Sequence, residues 1–168
     1  MDAKTFVTTY KPFADAAEKA TGISSLVTLA QAALESSWGA NAPHNNFFGI
    51  KSFGNPAQQL ETTFEFRKEP NLTPKQVGLE SIDHWEKSTT NAGYYIYVGK
   101  SWFRTYTTPE EAFDDHAHAF YQNHVYEGAL AVKSDPVAFV NAMARYYAQS
   151  PTYATTVISI MNSIKKLE

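Results

Sequence analysis

The feature that most constrains how this chain can fold is a repeated signal for the start of a helix. In four places a serine, threonine or aspartate stands directly before a proline: Thr73-Pro74, Thr108-Pro109, Asp135-Pro136 and Ser150-Pro151. The first residue can cap a helix N-terminus, and proline suits the first helical position because its missing N–H would have no partner there. The pattern predicts helices near 74–88, 109–123, 136–148 and 151–166.

The N-terminal part of the chain predicts two more helices. Apolar residues recur there at helical spacing: Phe6, Tyr10, Phe13 and Ala17. This spacing predicts a helix over 3–20. Ser24 or Ser25 can cap the next helix, which we expect to continue to Trp38.

Two stretches have the pattern of strands. "LETTFEFR" at 60–67 alternates in polarity, which predicts a half-exposed strand with Glu61 and Glu65 on its open face. "YYIYVGKSWFRTY" at 94–106 predicts two strands around a Gly99-Lys100 turn. The fold class is therefore α+β, mostly helical, with a small antiparallel β-lobe.

Composition narrows the classes of function. A chain of 168 residues with 43% hydrophobic content is long enough for one compact domain over 1–168 without a disulfide or metal. The net charge of -3 and the lack of a basic stripe argue against a nucleic-acid partner. The N-terminus lacks an apolar run of the kind that inserts into a membrane or directs secretion. We therefore expect no membrane insertion, and delivery by another route if the protein acts outside the cytoplasm.

The sequence offers few groups for metal or covalent chemistry. Among the histidines only His116 and His118 are close, and helical residues two apart do not share a face. We expect no metal and no cofactor, with each imidazole at the surface or half-buried. There is no cysteine, no Gly-x-Ser-x-Gly motif and no glycine-rich phosphate loop. The remaining candidates for catalysis are the carboxyl groups of aspartate and glutamate.

Glu35 is the leading carboxylate. On a helical wheel it falls at the edge of the apolar arc of the second predicted helix. Partial burial beside Trp38 and the negative end of the helix dipole both disfavour the anion. A glutamic acid that stays protonated can donate the proton that glycosidic cleavage requires. The alternative, on periodicity alone, is an ordinary solvated glutamate.

The motifs around Glu35 add a resemblance. "LAQAALESSWG" followed by "NNFFGIKS" closely resembles the signature of glycoside hydrolase family 73, the bacterial peptidoglycan-cleaving glucosaminidases that include the hydrolase domain of flagellar rod-assembly proteins. Weaker similarity continues in "TTFEF", "FRTYTTPEEAFDDHAHAF" and "YYAQSPTYATTVISIM". The resemblance implies a lysozyme-like fold and cleavage of the β-1,4-linked N-acetylglucosamine and N-acetylmuramic acid glycan.

The resemblance also implies site residues. Glu35 matches the general acid and Glu65 the second acidic residue, and one slip in the alignment would replace Glu65 by Glu61. Residues matched or placed near the implied cleft are assigned to substrate binding: Trp38, Asn46, Phe48, Gly49, Tyr147 and Tyr153. Turn formation by Asn46 and core packing by Phe48 or either tyrosine are the alternatives. Lys51 either anchors its loop, contacts a substrate carboxylate or is simply solvated.

The chain departs from the family pattern between its two strand motifs. About 67–101 is much longer than a hairpin turn, which predicts an inserted helix in the lobe bearing Glu65. Alternatives inside the enzyme class are a muramidase and a lytic transglycosylase, and outside it an inactive glycan-binding module. We expect action on peptidoglycan in the periplasm or cell wall, as a phage endolysin or an injected antibacterial effector. An injected effector would have an immunity protein that occludes the cleft.

Overall fold

The computed structural model describes residues 1–148 and 150–167. The helices are α1 (Ala3–Thr21), α2 (Ser25–Glu35), α3 (Pro74–Val77), α4 (Pro109–Gln122), α5 (Glu127–Leu130), α6 (Pro136–Tyr147) and α7 (Tyr153–Lys165). The strands are β1 (Gln58–Arg67), β2 (Ser81–Lys87) and β3 (Tyr95–Arg104). Short 3-10 turns lie at Pro43–Asn45 and His124–Tyr126.

The chain divides into two compact units. Met1–Gly49 and Tyr106–Glu168 form one, called here the helical unit, and Ile50–Thr105 form the other, called the β unit. The single domain expected over 1–168 stays a prediction.

Two helix starts of the helical unit, those of α4 and α6, follow the predicted capping pattern. The Thr108 side chain accepts the Glu111 N–H at the start of α4. The Asp135 carboxylate accepts two backbone N–H groups at the start of α6. The predicted starts at Pro109 and Pro136 are thus confirmed, whereas α7 begins at Tyr153, slightly later than predicted.

Helix α2 is shorter than predicted. It ends at Glu35 instead of continuing to Trp38, because Ser37 and Trp38 adopt left-handed φ values of 51° and 57°. The Trp38 N–H donates back to the Ala33 carbonyl across this turn, which satisfies a backbone acceptor at the helix end. The early stop makes Glu35 the last residue of the helix, with the chain turning away directly after it.

The middle of α2 is buried on all sides. Every residue from Val27 to Ala33 is buried, and Gln31 is 0% exposed. Helices α1, α4, α6 and α7 also contribute wholly buried side chains to the core: Phe6, Phe113, Phe139, Met143, Met161 and Ile164. A polar side chain in such a position must find hydrogen-bond partners within the protein. Gln31 therefore belongs to a buried polar arrangement.

The β unit contains an antiparallel sheet with strand order β1-β3-β2. The predicted Gly99-Lys100 turn is wrong, because β3 continues through both residues as one strand. Gly99 is opposite Thr63 on β1 and Ile82 on β2. An ideal Cβ at Gly99 would lie 1.9 Å from the Ser81 carbonyl oxygen. The glycine is required by the close approach of a neighbouring backbone, a role that a turn motif does not reveal.

The helix predicted at 74–88 begins at Pro74 with Thr73 as its cap, as predicted, but its predicted length is wrong. The segment forms only the single turn of α3 and then strand β2. Gly78, with a left-handed φ of 86°, ends the turn. Beyond it, Leu79 joins Val77 and Tyr97 in a small buried core of the β unit. The insertion therefore adds a strand to the sheet instead of a helix.

Strand β1 was predicted correctly, but the faces of its alternation were assigned in reverse. Phe64 is 58% exposed, whereas the Glu65 side chain is only 27% exposed. The Glu65 side is covered because Lys51 and Arg67 both pair with its carboxylate. Glu61 and Glu65 share a face of the strand as predicted, but both are half-buried there, so the face is not open.

Candidate active site

Glu35 lines an open pocket in the helical unit. The pocket has a volume of about 340 Å³ and is lined by Leu34, Glu35, Ala148, Ser150, Tyr153 and Thr156. Glu35 as a whole is exposed, yet enough protein surrounds its carboxyl group for burial to raise the pKa. A hydrogen bond from Tyr153 opposes this effect, and the net pKa is still raised. The direction agrees with the sequence-based prediction of a carboxyl that favours its protonated form.

Three buried side chains form a hydrogen-bond chain that ends on Glu35. The Tyr153 hydroxyl donates to Oε1 of Glu35 at 3.1 Å. The amide Nε2 of Gln31 donates to the Tyr153 oxygen at 3.0 Å. On the other side, Oε1 of Gln31 lies 3.2 Å from Nε2 of His116. Helices α2, α4 and α7 each contribute to this chain, so it connects the carboxyl group to the centre of the helical unit.

His116 is buried, which corrects the expectation of a surface or half-buried imidazole. It is 2% exposed, and its ring stacks on Phe48 with 3.8 Å between centroids and 9° between planes. Burial lowers the pKa of His116 to about 3, against the opposing charge of Asp115. The ring is therefore neutral at ordinary pH and carries one proton. With the Gln31 oxygen facing Nε2, the tautomer that carries its proton on Nε2 completes this hydrogen bond.

Two tyrosines pack beside the hydrogen-bond chain. Tyr147 stacks on Tyr153 with 5.3 Å between ring centroids, and its ring also meets the edge of His116 at 5.9 Å. Burial raises the pKa of both phenols above the ordinary value, and the Glu35 carboxylate adds to the effect. Both tyrosines keep their hydroxyl protons, so Tyr153 remains a hydrogen-bond donor to Glu35.

The other residues assigned to substrate binding have varied environments. Trp38 is half-buried, with its ring edge-on to Phe6 at 5.6 Å. Asn46 and Phe48 are each 5% exposed, so little of either is available to a ligand. Gly49 is exposed at a φ of 61°, with open space where a Cβ would be. Their role in substrate binding stays a prediction.

In the β unit, Glu65 is held by two cations. Its Oε1 lies 2.9 Å from Nζ of Lys51, and its Oε2 lies 3.3 Å from the Arg67 guanidinium. Lys51 also donates to the Gly78 carbonyl at 3.0 Å, which ties its loop to the inserted segment. Of the roles considered for Lys51, the structure shows the anchoring one. Glu61 lies farther along β1, opposite Ser101 of β3.

Other kinds of site receive no support from the described residues. Within 1–148 and 150–167, no group of three or more histidine or acidic side chains is placed to hold a metal ion. No helix in that part of the chain is long and apolar enough to cross a membrane.

Comparison with known proteins decides the family. Residues 11–166 match the model of the glucosaminidase family, described as mannosyl-glycoprotein endo-beta-N-acetylglucosaminidase. The chain belongs to this family. The resemblance inferred from the motifs around Glu35 is therefore confirmed, and with it the assignment to the glycoside hydrolases.

Curated relatives of this glucosaminidase chain include peptidoglycan hydrolases named FlgJ. The protein from Vibrio parahaemolyticus is 30% identical over 98% of this chain, and the one from Vibrio cholerae is 27% identical over 96%. The chain spans about half the length of these relatives, 48% and 44% respectively. The similarity thus concerns one part of each relative.

Solved structures share the fold of this glucosaminidase chain. The glycoside hydrolase domain of Salmonella typhimurium FlgJ has a TM-score of 0.69 at 23% identity and covers 99% of this chain and 91% of that one. A peptidoglycan hydrolase mutant from Sphingomonas sp. A1 has a TM-score of 0.70 at 24% identity, covering 98% and 97%. A type VI secretion system effector–immunity complex from Pseudomonas protegens has a TM-score of 0.58 at 19% identity, covering 98% and 92%. At these identities the likeness shows the fold alone, and it confirms the predicted lysozyme-like α+β class.

Sequence reasoning missed two residues of the site. Gln31 is one helical turn before Glu35, so the two share a face of α2. A glutamine inside an apolar helix was a signal available from the sequence. His116 gave no such signal, because its contact with Gln31 joins residues 85 positions apart.

Proposed function

We propose that the chain is a peptidoglycan hydrolase that cleaves the β-1,4 bond of the N-acetylglucosamine and N-acetylmuramic acid glycan as an endo-β-N-acetylglucosaminidase. The observation that carries the proposal is the Glu35 carboxyl group, which has a raised pKa, faces an open pocket and is oriented by a buried tyrosine. Membership of the glucosaminidase family and the FlgJ relatives support the same reaction and substrate.

In this proposal Glu35 is the proton donor. Tyr153 donates to Oε1, so the transferable proton is carried by Oε2. Transfer of that proton to the glycosidic oxygen lets the bond to the leaving sugar break. The carboxylate left behind still accepts the Tyr153 hydroxyl, which stabilises its new charge. The raised pKa keeps the acid protonated at a higher pH than an ordinary glutamate allows.

Glu65 is proposed as the second carboxylate, with Glu61 as the alternative. It would either activate a water molecule or stabilise the oxocarbenium charge. Its two oxygens are already paired with Lys51 and Arg67, so the group is fixed in position as an acceptor. Separate Glu65→Gln and Glu61→Gln variants assign the role, and the anomeric configuration of the first product distinguishes inversion from retention.

The substrate-binding surface is proposed to include the assigned side chains: Trp38, Asn46, Phe48, Gly49, Tyr147 and Tyr153. Tyr153 has the most direct support, because it lines the Glu35 pocket. Tyr147 packs on it and supports its orientation.

The decisive experiment is digestion of purified sacculi, followed by reduction and identification of the new reducing ends. A glucosaminidase yields reduced N-acetylglucosamine, a muramidase yields reduced N-acetylmuramic acid, and a lytic transglycosylase yields an anhydro sugar. Glu35→Gln should lower the rate by about 100-fold or more while sacculus binding persists. The matched control is Glu110→Gln at the start of α4, outside the Glu35 pocket. An inactive parent protein that still binds sacculi would indicate a glycan-binding module instead.

The site of action is proposed to be the cell wall or periplasm, reached through a holin or a secretion system. If the chain is an injected effector, its immunity protein is proposed to cover the Glu35 pocket; a similar fold occurs in a type VI secretion system effector–immunity complex. Co-purification with the product of the adjacent gene, and inhibition of sacculus lysis by that product, test the partner. A lysin released by a phage would show neither.

A further inference from the structure

We propose that Gln31 and His116 are positioning residues for the general acid, acting on Glu35 through the hydroxyl of Tyr153. The inference rests on the proposed function of Glu35 and deepens it. It assigns a role in the reaction to two buried side chains that are too enclosed to touch a substrate.

The direction of the hydrogen bonds carries the argument. A phenol has one hydrogen to donate, and Tyr153 has neighbours on two sides, Gln31 at 3.0 Å and Glu35 at 3.1 Å. When the Gln31 amide nitrogen donates to the phenol oxygen, the phenol hydrogen is left for Glu35. When the amide is turned round, its oxygen takes the phenol hydrogen and Glu35 loses its donor. The orientation of one buried amide thus decides whether Glu35 is held.

His116 is coupled to that orientation. Its Nε2 lies 3.2 Å from Oε1 of Gln31, and in the tautomer with the proton on Nε2 it donates to this oxygen. With that tautomer, a turned amide would place its NH₂ group against the Nε2–H, donor to donor; a turned amide therefore requires the other tautomer, in which Nε2 accepts. Because a buried donor without an acceptor is strongly disfavoured, the tautomer and the amide change together, and the Nε2–H tautomer is the one that leaves the phenol hydrogen for Glu35.

The imidazole is itself held by aromatic packing. Phe48 stacks on its face, while Phe120 and Tyr147 approach its ring edge-on at 5.3 Å and 5.9 Å. These contacts oppose rotation of the ring away from Gln31. The hydrogen-bond chain therefore connects a packed aromatic cluster to the carboxyl group of Glu35, and packing holds its far end in place.

A double-mutant cycle distinguishes a positioning role of Gln31 and His116 from a merely structural role. Gln31→Met and His116→Phe keep approximate volume and remove the polar contacts, while Tyr153→Phe removes the hydroxyl. On soluble, peptide-free glycan strands we expect each single variant to lower kcat about 10-fold. For Gln31→Met and His116→Phe, KM should stay within about twofold of the parent value. Adding Gln31→Met or His116→Phe to Tyr153→Phe should lower kcat no further.

The control for lost stability is Ile164→Ala, a wholly buried position on α7 outside the chain of hydrogen bonds. It should lower the melting temperature and leave kcat unchanged at a temperature where the protein is folded. Multiplicative effects in the cycle, or single variants that lose stability and keep kcat, would overturn the inference. Loss of the proposed function has a separate signature, in which the parent is inactive or Glu35→Gln remains active.

Discussion

Replacing Gly99 with alanine is expected to disrupt the pairing of β2 and β3 in the β unit. The added Cβ would lie 1.9 Å from the carbonyl oxygen of Ser81 and 2.9 Å from its carbon. Real Cβ atoms essentially never lie within 3.0 Å of another group in this way. Both atoms belong to backbone, which cannot rotate away as a flexible side chain does, so the strands must move apart.

The size of the effect follows from this separation. Forcing extra volume into a packed site costs about 1–3 kcal/mol. The movement also strains nearby backbone hydrogen bonds, such as that from Glu80 N–H to the Lys100 carbonyl at 2.7 Å. Each bond that is lost adds about 1 kcal/mol. We expect the free energy of unfolding to fall by about 3–4 kcal/mol, which corresponds to roughly 10 °C in Tm for a chain of this length.

Urea and thermal unfolding of the purified protein measure this loss. The matched control is Gly128→Ala in α5, where nothing lies within 4 Å of the added Cβ. There alanine should be neutral or stabilise by up to about 1 kcal/mol through its higher helix propensity. If Gly99→Ala cost no more than the control, β2 would not lie against Gly99 and the strand order β1-β3-β2 would be refuted.

Two further predictions concern the carboxylates. Glu35→Gln should be at least as stable as the parent at neutral pH, because a raised pKa in the folded state means that the anion costs stability above that pKa. The difference in unfolding free energy between the two proteins should vanish as the pH falls below the ordinary glutamate pKa of 4.5. Denaturant unfolding between about pH 3 and 8 measures this difference. A Glu35→Gln protein that is less stable than the parent at neutral pH would contradict a raised pKa for Glu35. Lys51→Met should lower the free energy of unfolding by about 1 kcal/mol, since it removes one of two cations from Glu65. Urea titrations at low and high salt check this prediction, and a loss independent of salt would argue for packing instead of the ion pair.

Helix starts were predictable because their signals are local. A capping residue before a proline acts within one helical turn, and the starts at Pro109 and Pro136 were confirmed on that basis. Helix α2 was predicted too long because its apolar pattern continues to Trp38 after the backbone has left the helix. The spacing of apolar residues indicates which side chains are buried, and side chains can stay buried after a helix has ended. Such spacing therefore does not locate the helix end.

The β unit was less predictable because its structure depends on pairing between distant segments. Gly99 and Lys100 have the composition of a turn, yet β3 is continuous because two strands enclose it. The same applies to β1, where alternation was correct and the exposed face was wrong. Lys51, which is 14 residues away in sequence, covers Glu65, and no local pattern indicates this pairing.

The candidate site shows the same division between local and distant information. Glu35 could be found from its place on a helix and from its motif, since both are contiguous in sequence. Its environment depends on Tyr153 and His116, which reach it only through folding: Gln31 contacts them across 122 and 85 positions. A contiguous motif can therefore indicate a candidate acid, whereas the side chains that surround this candidate are determined by the packing of distant helices.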